Sequence, residues 1–162
     1  MPNLLVPDSL RLTGRVRIVT RSPDGRMLRD SGWIANQICN GGAAAVVAWL
    51  TSTPNRGASS QAVPYPAYME LGDGTGTPAA TDTDLFSPNV ATQIHVTQAG
   101  PAPGNPLVAQ WVGVWGPSYG PYNASEAGLL SADGTLWSHI LATIDLTTTA
   151  STVVTWQWVL SV

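Results

Sequence analysis

Glycine and proline interrupt this chain so often that no long helix fits between them. Sixteen glycines and thirteen prolines are spread over 162 residues, and each proline removes a backbone donor while each glycine loosens the backbone. One stretch keeps strong helical character: Ala43-Ala44-Ala45-Val46-Val47-Ala48-Trp49-Leu50, led in by Asn40-Gly41-Gly42 and stopped before Pro54. The spacing predicts a single short helix at about 41–51. Strands are expected elsewhere.

Two of them form a hairpin over residues 10–34, where β-branched Val16, Ile18 and Val19 precede the turn Ser22-Pro23-Asp24-Gly25. Residues 52–64 read as a long surface loop, and a strand at 66–71 follows. Further strands are expected near 90–98, 107–115, 126–131, 135–146 and 152–161, divided by the breaks at Gly100–Pro106 and Gly116–Pro121. Parity is clearest in the last, with Val154, Trp156, Trp158, Leu160 and Val162 on one face and Val153, Thr155, Gln157, Val159 and Ser161 on the other. The fold class that follows is mainly β: an antiparallel β-sandwich or jelly-roll-like barrel with one short helix, forming a single domain over 1–162.

Charge is scarce and segregated. Only 10% of residues are charged, against ~25% in typical soluble domains, which suits a surface covered by neighbours or one coated with Ser, Thr and Gln. All seven basic residues are arginines, six of them (Arg11, Arg15, Arg17, Arg21, Arg26, Arg29) within residues 11–29 and the seventh at Arg56. The rest is acidic, through Glu70, Asp73, Asp82, Asp84, Glu126, Asp133 and Asp145. Arg15 and Arg17 share strand parity with no aromatic between them, and the net charge of −3 opposes nonspecific DNA binding. A solvated or partner-facing basic strand is expected, and complementary patches would suit head-to-tail or ring contacts between identical copies. No run of 18 apolar residues could span a bilayer, and Met1-Pro2-Asn3-Leu4-Leu5 lacks a basic leader, so assembly in a cytoplasm is expected. Cys39 is the only cysteine and reads as a core thiol.

Several motifs look chemical. Gly72-Asp73-Gly74-Thr75-Gly76-Thr77-Pro78 has the glycines of a nucleotide turn, but the chain contains no lysine for a phosphate loop and Pro78 precludes the long helix of a dinucleotide fold. Calcium remains an alternative through Asp73, Thr75, Thr77, Asp82 and Asp84, although their spacing is not that of a helix-flanked calcium loop. The preferred reading is a structural turn at Gly72, Gly74, Gly76 and Pro78, its glycines at positive φ and its Asp and Thr side chains satisfying the backbone. Gly116-Pro117-Ser118-Tyr119-Gly120, with Asp133 and His139 downstream, matches a hydrolase elbow in letters but sits in β context. His95 and His139 are expected as partly buried polar residues, and Glu126 with Asp133 as a weak carboxylate pair. Asn123-Ala124-Ser125 matches a glycosylation sequon. No catalytic residue, metal or cofactor is expected. Of the seven tryptophans, Trp111 with Trp115 and Trp156 with Trp158 form stripes that predict core or subunit interface, with a sugar platform as the alternative.

The ordered set Gly74-Thr75-Gly76-Thr77-Pro78-Ala79, Asp82-Thr83, Leu85, Glu126-Ala127-Gly128-Leu129-Leu130, Gly134-Thr135-Leu136 and Thr155-Trp156-Gln157-Trp158 resembles a family of small tailed-bacteriophage virion proteins. In that pattern an Asn-rich lead-in to a short helix, here Trp33 to Ile38, precedes the Gly/Thr turn, and the likeness spans most of residues 33–160. It departs after Leu85, where Phe86-Ser87-Pro88 stands in place of charged residues. The resemblance implies a β-sandwich unit of a virion and no enzyme: a head-decoration subunit first, a tail, baseplate or fibre-attachment component second, a carbohydrate-binding host-recognition module third. Its partners would be itself, as a homo-oligomer such as a trimer, and capsid or tail subunits, with a glycan as an option and neither nucleic acid nor membrane. Arg15, Arg17, Arg21, Trp111, Trp115, Trp156 and Trp158 are the candidate interface.

Overall fold

The structure, a computed structural model, describes residues 11–51 and 65–161. The order of elements is β1 (Arg11–Arg21), β2 (Met27–Ile38), α1 (Asn40–Thr51), β3 (Pro66–Gly72), β4 (Pro88–His95), β5 (Gln98–Ala102), β6 (Asn105–Trp115), β7 (Tyr122–Ser131), β8 (Leu136–Leu146) and β9 (Ser151–Ser161). All pairings are antiparallel, and they make one curled sheet in the order β4-β3-β7-β8-β2-β1-β9-β6-β5.

The sheet doubles over at β2. Most of that strand pairs with β1, from Gly14↔Asn36 to Arg21↔Met27, whereas only Gln37 and Ile38 pair with β8, opposite His139 and Ser138. A front layer of β2, β1, β9, β6 and β5 therefore lies against a back layer of β4, β3, β7 and β8. On the far side the chain changes layer at Val96-Thr97, whose amides donate to Ala67 O at 2.9 Å in the back layer and Val112 O at 2.7 Å in the front. The chain is mainly β and sandwich-like, as its spacing of breaks predicts.

Side-chain alternation fills the space between the layers. Val16 and Ile18 of β1, Val154, Trp156 and Trp158 of β9, and Trp111 and Trp115 of β6 cluster with Met69, Leu71, Leu129 and Ile140 of the back layer. The Trp115 indole donates to Thr92 O across the layers at 2.7 Å, and that of Trp158 to Ser138 Oγ at 2.8 Å. Trp111, Trp115, Trp156 and Trp158 are thus core residues, and their assignment to a partner interface is corrected: their burial joins the two layers of one chain.

The hairpin forms as expected but β2 runs on to Ile38, so the Asn-rich lead-in to the helix is itself strand. In the turn, Gly25 has φ 84° and its amide donates to Ser22 O, while the Asp24 carboxylate accepts from the Ser22 hydroxyl and the Arg26 amide. That hydroxyl holds the Asp24 carboxyl below the usual range. The proline-rich stretch expected as a break contains the end of β5 and the start of β6, with the reversal confined to Pro103-Gly104. Pro101 is tolerated because β5 is an edge strand, where a missing donor breaks no ladder. β7 likewise starts at Tyr122, inside an expected loop. The loop at 52–64, Arg56, the N-terminal Met1–Leu5 segment and Val162 lie outside the described residues.

Helix α1 packs on the start of β8. Gly42 permits this, since a Cβ there would sit 2.8 Å from the Trp137 backbone and from the Trp158 ring.

Candidate functional site

On the outer face of the back layer, β7 presents Glu126, Gly128 and Leu130, because the alternate residues Ala127 and Leu129 point into the core. Residues 73–87, which join β3 to β4, cross this face as a strap. Leu85 packs with Leu130, Leu136 and Cys39 in a second small core. Gly128 leaves room for it, since a Cβ there would come within 3.0 Å of Leu85.

The strap is tied to one buried carboxylate. Glu126 Oε1 accepts the amides of Gly74 at 3.1 Å and Ser87 at 2.7 Å, and Oε2 accepts that of Phe86 at 3.0 Å and faces His139 Nε2 at 2.9 Å. Four contacts use the whole acceptor capacity of a carboxylate. The other imidazole nitrogen, Nδ1, lies 2.9 Å from Asp82 Oδ2, which also accepts the Ala79 amide at 2.8 Å. Glu126 and His139 are both 0% exposed. The Phe86 ring leans on the imidazole, centroids 4.8 Å apart, and Ser125 Oγ donates to Gly74 O at 2.7 Å. Farther along, Ala80 O accepts the amide of Asn40, which anchors the strap to the start of α1.

Gly72 closes β3, Gly74, Gly76 and Pro78 lie in the strap, and the glycines stand there for a different reason from the one expected. None of the three glycines has positive φ. They are small because the carboxylate and its neighbours are close: a Cβ on Gly72 would lie 2.4 Å from both Glu126 Oε1 and Ser87 O, and one on Gly74 2.6 Å from Oε1 and 2.5 Å from Phe86 Cβ. The acids of this stretch have separate tasks. Asp82 holds His139, Asp84 accepts the Leu85 amide, and Asp73 accepts the Ser87 hydroxyl.

An acid–imidazole–acid row has the composition of a catalytic relay, yet here each group is occupied. Both histidine nitrogens face carboxylates and every Glu126 acceptor site is filled, so a groove of about 360 Å³ beside Pro78 reaches His139 without meeting a free base. Glu126 and Asp133 are not brought together: Asp133 sits exposed in the β7–β8 turn, held below the ordinary carboxylate range by the Ser131 hydroxyl and then by the Thr135 amide. Ser118 lies exposed in a 3-10 turn at Pro117–Tyr119. His139, expected as partly buried, is wholly buried, whereas His95 is exposed and stacks on Tyr68 at 4.4 Å. Cys39 is a core thiol, as expected, and burial, helped by the Asp82 charge, pushes its pKa up to about 12.

Arg15 and Arg17 of the hairpin lie on the front layer's outer face, since the alternate residues Val16 and Ile18 are core. Arg15 is fixed in place, its Nε donating to Gln157 Oε1 at 2.9 Å and its guanidinium lying 4.5 Å over the Trp33 ring. Gln157 in turn donates to Gln110 Oε1 at 2.7 Å, which extends a polar row across β2, β1, β9 and β6. Arg17 is neutralised locally by Asp30, with Nε to Oδ1 at 2.9 Å and a second contact through Nη2. The hydrogen bonds from Arg17 hold the Asp30 carboxyl down to about 2. Arg21 donates to Gly25 O at 3.1 Å.

Composition and spacing locate the turn and the arginines but not the Asp82–His139–Glu126 row, whose members are 57 and 13 residues apart in sequence. The sequence signal for it is the pairing of a Gly/Thr turn with Glu-Ala-Gly-Leu, a polar residue on the face that a Gly opens to a covering loop. Comparison with known proteins adds no relative to this geometry: no family model, no curated protein and no solved structure matches the chain.

Proposed function

We propose that this chain is a structural protein of a tailed-bacteriophage particle, a head-decoration subunit that associates with itself and with other virion proteins. The observation that carries the reading is the use of the acid–base side chains. Glu126 and His139 are buried and fully engaged, Asp82 flanks them partly buried, and the residues of the virion-protein pattern meet at them: the Gly/Thr turn, Asp82, Leu85, and Glu126 to Leu130. They hold the strap over the outer face of the back layer and leave Glu126 and His139 engaged within the chain. A tail or baseplate position is the second reading. A sugar platform built on the tryptophan stripes is disfavoured, because Trp111, Trp115, Trp156 and Trp158 are internal.

Immunogold labelling of purified particles with antibody to this chain tests the proposal. Gold over heads is expected, gold over tails would transfer the assignment to the second reading, and particles free of label would overturn both.

A further inference from the structure

The charge segregation visible in the sequence acquires a direction in the fold. Arg15 and Arg17 project from β1 on the outer side of the front layer, since Val16 and Ile18 between and beyond them are core. The exposed acids Asp73 and Asp84 belong to the strap, and Asp145 to β8, all on the back layer. Arg15 and Arg17 on one side, and Asp73, Asp84 and Asp145 on the other, thus occupy opposite faces of one sandwich, with Asp30 of the front layer paired to Arg17.

Among the front-face cations Arg15 stands apart. Its Nε bond to Gln157 and its stacking on Trp33 fix the plane of the guanidinium, and its terminal Nη groups have no partner among the described residues. A guanidinium held in this way has already lost the rotamer freedom that binding would cost, and its remaining fork matches a carboxylate. Arg17, by contrast, has its own carboxylate in Asp30.

We infer that the front face is a docking surface for the acidic back face of a second copy of this chain, with Arg15 as the central contact and Trp33 and Gln157 as its supports. The inference rests on the assembly reading above and specifies its geometry. Because the two surfaces differ and lie on opposite sides, the contact is heterologous, and repetition builds a ring or a stack rather than a closed pair. Carboxylates on one copy meet the arginine fork on the next, and charge complementarity selects the orientation.

Sedimentation velocity of the purified protein provides the test. Wild type should associate with rising concentration at low salt and dissociate at high salt. Arg15→Gln should weaken association by about tenfold, the size of one close interfacial charge pair, while Arg17→Gln should change it by less than about twofold, as for a pair already exposed and internal. A mixing experiment then fixes the polarity. Arg15→Glu lacks a working front, the triple variant Asp73→Asn, Asp84→Asn, Asp145→Asn lacks a working back, and each alone should be monomeric. Mixed, they should form a one-to-one dimer that grows no further. A wild type that stays monomeric at low salt, association indifferent to salt, or variants that assemble like wild type would overturn the inference. So would retention on duplex DNA that depends on Arg15. Should Arg15→Glu misfold by circular dichroism, the wild-type salt series and Arg15→Gln still decide. Gold-labelled particles with no self-association would remove the stacking alone, and self-association with unlabelled particles would remove the virion reading alone.

Discussion

Glu126 shows how a single side chain can fix the residues around it. Once a carboxylate accepts three amides from one passing loop, the loop backbone must come within bonding distance of it, and a position whose Cβ would point at the carboxylate has no room for a side chain. This gives the three glycines a rank. Gly72→Ala and Gly74→Ala each push a methyl group against backbone or the fixed carboxylate, and each should cost about 1–3 kcal/mol. At Gly76 the neighbour is the ring of Phe86, which is 43% exposed and has room to swing outward, so Gly76→Ala should cost less than either. Chemical denaturation of the three variants checks the order, and an equal effect at all three would contradict it. The turn was legible in the sequence as architecture, but its reason was not. Positive φ is the usual cause of a glycine cluster, and a carboxylate supplied by a strand far along the chain leaves no local trace.

At the scale of elements, the strap and the sandwich beneath it are separable units of stability. The strap is held by the Glu126 contacts and a four-residue apolar cluster, while the sandwich has the larger core. Glu126→Ala should therefore cost about 3–5 kcal/mol, because it leaves three amides and the buried His139 ring without their acceptor, and the loss should appear first in the strap. Cys39 is a built-in reporter, being the only thiol and lying under Leu85. With a thiol pKa near 12 it should resist alkylation in the wild type and react much faster in Glu126→Ala, while tryptophan fluorescence still reports an intact core. Equal alkylation rates would mean that strap and sandwich open together. Most elements could be read from the sequence, because alternation and turn residues are local signals. Hairpin, helix and the Trp-bearing strands lie where expected within a few residues. β5 could not be read, because Gly100 and Pro101 break a strand anywhere except at an edge, and edge position is a property of the finished sheet. The sequence also left core and interface open for Trp111 and Trp156, since a stripe reveals that a face is buried without revealing by what.

At the scale of the whole molecule, β1 lies between β2 and β9, and its pairing with β9 runs from Arg11↔Ser161 to Arg21↔Ser151. The Arg15–Gln157 bond alone spans 142 residues of sequence. Such non-local pairing predicts folding on the millisecond-to-second scale typical of all-β sandwiches, measurable by stopped-flow fluorescence of the buried tryptophans. A faster, microsecond phase carrying the full amplitude would contradict it. Truncation before Ser151 should abolish that transition altogether, since it removes the partner of β1 and of β6 at once. During synthesis, the arginine hairpin leaves the ribosome early and waits with one edge bare until β9 emerges. No product that stops short of β9 can bury that edge, so closure of the sheet itself reports that synthesis has passed Ser161.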